Sequence, residues 1–265
     1  MIANVSSRTL WLAFAALTFG LFASAASANH SWNGYHWART ANPFTVKLGD
    51  NVSSAWDSAL RTASSDWSGS TVLDTTVVSG QTTPRRCRAT VGQVEVCNLT
   101  YGNNGWLGIA SISVSGSHIT QGTVKVNDTY FNTAAYDTPA WRSLVMCQEV
   151  GHTFGLNHQD ENFSNANLGT CMDYTNDPST NQHPNQHDYD ELAAIYSHPD
   201  SSTTVGQAVD LLGRVGDFNS PGEWGRLVQE SGNGRHSVYE LDFGKGHKIY
   251  TFVTWALESD SRGRR

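Results

Sequence analysis

The stretch CQEVGHTFGLNH, residues 147–158, decides how the rest of this chain is read. Gln148 and His152 are four apart, so on a helix they stand one turn apart on the same face. Gly155 permits the sharp turn that ends such a helix, and His158 arrives just after it. Three donors delivered in this way close three corners of a tetrahedron around a metal ion such as zinc, and the fourth stays open for water. Glu149 adjoins the first donor, where a carboxylate can take a proton from that water. The odd member is Gln148, because an amide oxygen is neutral and binds zinc more weakly than an imidazole nitrogen. Three arrangements remain open: Gln148 ligates through its amide oxygen; His118, His183 or His187 substitutes from elsewhere in the chain; or no metal binds.

Working outward, Thr138-Pro139 supplies an N-cap followed by proline at the first helical position, and Trp141, Leu144 and Val145 make an apolar stripe leading into Gln148 and His152. Upstream, Phe44 to Leu48 alternates as a strand, and SSAWDSALRTASSDW places Trp56, Leu60, Ala63 and Trp67 at helical spacing, with Ser54 and Asp57 in a capping-box pattern. Further strands are predicted at 72–78, 91–99, 108–114 and 122–127. Downstream, 159–184 is loop-rich, and HDYDELAAIYSH, 187–198, returns to helical spacing, capped by Asp188 or its neighbours. Residues 238–255 read as two strands joined at Gly244-Lys245-Gly246. The run Asp160-Glu161-Asn162 offers oxygens to a calcium ion but lacks the spacing of a calcium loop, so it reads as a solvated loop.

The N-terminus limits the compartment. Arg8 precedes an apolar run from Leu10 to Phe22 that ends in small residues, with Ala26-Ser27-Ala28 as a cleavage pattern. Residues 1–28 therefore read as a secretory signal peptide, and the run is short for a membrane anchor. A net charge of −7 excludes a general nucleic-acid or anionic-membrane binder, apart from a basic tail at Arg262 to Arg265. Four cysteines in an exported chain imply two disulfides. Cys87 with Cys97 would staple a short loop, and Cys147 with Cys171 would tie the motif helix to the segment CMDY; spacing alone leaves all three connectivities open.

EVGHTFGLNH, 149–158, and CMDY, 171–174, resemble the metzincin clan of zinc endopeptidases, in particular its matrixin-like and serralysin-like members. The resemblance extends loosely from Trp37 to Tyr196. It implies an α/β (α+β) fold: a twisted mixed sheet over an active-site helix, a methionine turn at Met172, and a final helix. The domain would span 29–199, with a linker and a small accessory β-hairpin in 200–265. The implied activity is secreted, zinc-dependent peptide hydrolysis by a monomer. Its metal positions would be Gln148, His152 and His158, with Glu149 as general base and Tyr174 stabilising the oxyanion. A protein or peptide substrate would lie extended along an edge strand at 108–114. The competing reading keeps the fold and cleft as a secreted binding protein whose metal site is degraded at Gln148.

Overall fold

The computed structural model describes Met1 and residues 30–206 and 217–257. The signal-peptide stretch and the basic C-terminal tail lie outside the described residues. Within them the chain is a mixed α/β fold, with nine strands and four α-helices. In chain order these are β1 (His36–Trp37), β2 (Phe44–Asn51), α1 (Asp57–Trp67), β3 (Leu73–Ser79), β4 (Val94–Leu99), β5 (Trp106–Ser115), β6 (His118–Asn127), α2 (Asp128–Phe131), α3 (Pro139–His152), α4 (Gln186–Ile195), β7 (Arg226–Glu230), β8 (His236–Gly244) and β9 (His247–Trp255).

The sheet runs β3-β2-β4-β6-β5-β9-β8-β7, and β1 pairs separately with β6. One half is parallel, from β3 to β6; the other is antiparallel, from β6 to β7. The change follows from the connections. Helix α1 returns the chain for a parallel β3, whereas the turns at Gly116 and at 244–246 are tight enough only for antiparallel neighbours. Positive φ at Gly244, Lys245 and Gly246 makes the second of these turns.

The 238–255 segment is thus a hairpin, and it extends the main sheet. Strand β9 pairs along the whole of β5, from Trp106 opposite Trp255 to Ser115 opposite His247. The predicted edge at 108–114 is therefore an interior strand, buried on both faces: Leu107, Ala110, Ile112 and Val114 join the main core, while Trp106 and Ile109 pack with Trp224, Val253 and Trp255. A peptide cannot pair with β5 while β9 lies there. The sequence gives no warning of this, because a strand that is buried on both faces and one that awaits a partner can carry the same side chains.

Helix α1 starts two residues later than its sequence pattern. Trp56 is the N-cap and Ser54 makes no cap, because Trp56 is drawn inward, fully buried, with Nε1 donating to Asp128 Oδ1 at 2.8 Å. Asp57 instead pairs with Arg61 across one turn at 2.8 Å. Helices α3 and α4 start as expected: Thr138 accepts from the Trp141 N–H, and Asn185 with Asp188 forms a capping box.

Two tryptophans fix α3 against its surroundings. Trp67 Nε1 donates to the Cys147 carbonyl at 3.0 Å and Trp37 Nε1 to the Thr153 carbonyl at 2.9 Å. Each satisfies a buried donor while burying a large apolar ring, a gain of the order of 1.5–3 kcal/mol per side chain. Close packing on Trp67 also explains Gly151, where a Cβ would fall 2.6 Å from the indole and 2.7 Å from Met172 Sδ.

Candidate metal centre

Helix α3 ends at His152, and Gly155 turns the chain with φ +91. A Cβ at that position would meet the Tyr35 carbonyl oxygen at 2.0 Å, so both the backbone angle and the space require glycine. The turn delivers His158 to His152, with ring centroids 4.6 Å apart. The third member of the cluster is His236, the first residue of β8: its ring lies 4.1 Å from that of His158 and 5.6 Å from that of His152. One nitrogen from each imidazole lies within 4.8 Å of the other two.

The donor chemistry fits a metal. His152 Nδ1 lies 2.9 Å from the Leu156 carbonyl, which can only accept, so Nδ1 carries the proton and Nε2 presents a lone pair. That Nε2, both ring nitrogens of His158 and both of His236 are buried without a hydrogen-bond partner. One nitrogen from each ring can share a single ion, which would relieve three of these five; the second nitrogens of His158 and His236 would still lack a partner. Burial holds His152 down to about 4, and it keeps His158 and His236 well below the ordinary imidazole range, with mutual repulsion adding to the effect. All three are consequently neutral at physiological pH, the form that binds metal.

Gln148 lies beside the cluster with its amide engaged at both ends. Nε2 donates to the Cys171 carbonyl at 3.0 Å, and Oε1 accepts from Thr254 Oγ1 at 2.9 Å. The same Thr254 hydroxyl lies 2.7 Å from Glu149 Oε1. Glu149 is fully buried, its Oε2 has no partner, and burial pushes its carboxyl up to about 8 against the pull of Thr254 and the Ala110 N–H. Gly108 on β5 makes room for it, since a Cβ there would reach Glu149 Oε1 at 2.5 Å.

Tyr174 packs its ring 4.2 Å from that of His158 and 5.6 Å from that of His236. Burial raises its phenol well above the usual range, so it stays a protonated donor. Met172 is buried with Sδ against Gly151, directly below the end of the motif helix. The disulfides are Cys87–Cys97 and Cys147–Cys171; the second fastens α3 to the Met172 segment. Beside the cluster lies a cleft whose lining includes Leu107, Trp141, Val145, Gln148, Tyr174 and Thr254.

The other histidines weighed as replacements have partners of their own. His118 faces Asp200, His183 pairs with Asp66, and His187 stacks on His30. Asp160 and Glu161, the possible calcium donors, accept from the Asn162 N–H and from Gln229 Nε2. His236 escaped the sequence reading because a single histidine opening a strand has no spacing to any other ligand. Its only signal is that the residues after it alternate as a strand.

No protein-family model matches this sequence, and no curated protein matches it. Among solved structures the chain is similar to high choriolytic enzyme 1, a hatching-enzyme zinc protease of the medaka fish Oryzias latipes. That match covers 61% of this chain and 94% of the other, with 9% identity and a TM-score of 0.34. A likeness of that size carries no argument, so the chemistry rests on the site itself. No helix among the described residues is long and apolar enough to cross a membrane, and the two disulfides fit an oxidising compartment.

Proposed function

We propose that this chain is a secreted, metzincin-like zinc endopeptidase whose metal is held by His152, His158 and His236, with His236 standing in for the imidazole that Gln148 lacks. The observation that carries this reading is the trio of neutral, buried imidazoles with unpartnered nitrogens, linked through Thr254, the register partner of His236, to the Glu149 carboxylate with its free oxygen. A zinc ion there would supply Lewis-acid polarisation of a carbonyl and acidify water.

The chain's own residues supply the proton traffic. Glu149 Oε1 is anchored by Thr254, leaving Oε2 to accept a proton from water and return it to a leaving amine. Without a metal the carboxyl holds its own proton up to about pH 8; a bound cation would favour the ionised form, which is the form that accepts one. Tyr174, held protonated beside His158, can donate to a developing oxyanion.

A second reading is favoured by one observation: β9 covers β5, and His152, His158, His236 and Glu149 are at most 5% exposed. In that arrangement the chain would be a zinc-holding scaffold without turnover. Zinc content and digestion of a denatured protein, measured on the parent and on Glu149→Gln, separate the two. Zinc in both with hydrolysis in the parent alone supports the enzyme; zinc in both with no hydrolysis in either supports the scaffold. A parent that takes up no zinc sinks both.

A further inference from the structure

A second group of metal-ligating side chains lies away from this centre. His36 on β1 is the register partner of His118 at the start of β6, and the segment after α4 adds His198 and Asp200. The Nε2 atoms of His118, His36 and His198 lie 3.2, 3.5 and 3.9 Å from a single atom, Asp200 Oδ1. The His36 ring meets those of His118 and His198 edge-on, each with centroids 5.0 Å apart.

Arg39 fixes the frame. Its guanidinium and its backbone N–H both hold Asp200 Oδ2, at 2.8 and 3.2 Å, and it also donates to the His198 carbonyl. The carboxylate is thereby oriented with Oδ1 towards the three rings. The tautomer of His36 is settled too. Nδ1 lies 2.8 Å from the Gly34 carbonyl and must donate to it, which leaves Nε2 as the nitrogen that faces Asp200. His36 is 95% buried, and this Nε2 has no hydrogen-bond partner although it points at a carboxylate oxygen 3.5 Å away. A buried ring nitrogen without a hydrogen-bond partner, facing a carboxylate oxygen at close to the spacing of two neighbouring ligands, is a place that a cation fits.

We propose that His36, His198 and Asp200 form a second divalent-metal site suited to zinc, with His118 hydrogen-bonded to Asp200 Oδ1 and holding the carboxylate in place. Tetrahedral zinc with bonds of about 2.0–2.1 Å sets neighbouring donors about 3.3–3.4 Å apart, and the His36 and His198 nitrogens stand 3.5 and 3.9 Å from Asp200 Oδ1. Two imidazoles and one carboxylate are a borderline-soft set that zinc accepts readily, whereas calcium and magnesium prefer all-oxygen shells. Three protein ligands leave the fourth position to water. The ion pins β1 and the chain beyond α4 to one point. The site is independent of the proposed catalytic centre and shares no residue with it.

The test is zinc stoichiometry of the purified full-length chain, with affinities from chelator competition, on the parent, His198→Ala, His118→Ala and His152→Ala. The side chains of His198 and His118 are 57% and 33% exposed, so their loss leaves the core intact, which circular dichroism checks. The expected result is two zinc ions in the parent. One should be lost or weakened at least tenfold in His198→Ala and weakened in His118→Ala, and a different one should be lost or weakened in His152→Ala. A parent with a single zinc that vanishes in His198→Ala also supports this site, while removing the catalytic one. The proposal is overturned if the parent takes up no zinc, or if folded His198→Ala binds zinc as the parent does.

Discussion

Thr254 Oγ1 lies 2.7 Å from Glu149 Oε1, joining β9 of the C-terminal hairpin to the carboxylate of the motif helix. A hydroxyl has one proton to give, and Thr254 also faces Gln148 Oε1 at 2.9 Å. When Glu149 is protonated it can donate to Thr254, which then donates to Gln148, whose amide donates to the Cys171 carbonyl. When Glu149 is ionised, Thr254 turns to it. The hydroxyl thus follows the charge state of the proposed base.

Thr254→Val removes that response and keeps the side-chain volume. Because the Thr254 bond lowers the affinity of Glu149 for its proton, its loss moves the acidic limb of the activity profile to higher pH, while zinc content stays at the parent level. Parallel pH-rate profiles for the two proteins check this, and coincident limbs would show that Thr254 does not tune the base.

Metal-free protein should be most stable near pH 6.5. On the acid side, unfolded imidazoles take up protons around 6.5, whereas folded His152 does so only near 4 and His158 and His236 are held well below the usual range. The unfolded state binds more protons there, so stability is lost as pH falls. On the alkaline side, Glu149 keeps its proton up to about 8 in the fold but releases it near 4.5 when unfolded, so stability also declines as pH rises towards 8. Between 4.5 and 6.5 three histidines outweigh one carboxylate. Urea melts in chelator at pH 5, 6.5 and 8 should show the maximum, and zinc should flatten its alkaline side by favouring ionised Glu149.

His236→Ala and Gln148→His should act in opposite ways from a sequence-only expectation. With His236 as third ligand, its removal lowers zinc affinity at least about tenfold, or 1.4 kcal/mol. Gln148→His, which completes the motif on paper, breaks two buried hydrogen bonds and should cost roughly 1–3 kcal/mol of stability without tightening the metal. Chelator competition with thermal melts on both variants decides it. A Gln148→His protein that gains affinity would return residue 148 to the ligand set.

Replacing both Cys147 and Cys171 by alanine should destabilise the fold by about 2–4 kcal/mol and loosen the Met172 segment against α3. Denaturant midpoints give the first effect. Faster amide exchange at 170–174 gives the second, and unchanged exchange there would mean that the Thr170–Asp188 bond and core packing already hold the segment.

The sequence by itself determined most of what has its partners close along the chain, the cap of α1 being an exception. Helix α3 with its cap at Thr138, the turn at Gly155, the pairing of His152 with His158 and the hairpin turn at 244–246 follow from helical period, glycine stereochemistry and turn chemistry, all of which act over a few residues. The motif also marked position 148 as deficient, because an amide is a poor zinc donor. Which third imidazole joins His152 and His158 was decided by tertiary structure. His236, the cover of β9 over β5 and the gathering of His36, His118 and His198 around Asp200 depend on which strands pair across the sheet. Strand pairing joins residues of any separation through backbone bonds common to every sequence, so no local pattern records it. Only the assembled sheet brings these side chains to the same points.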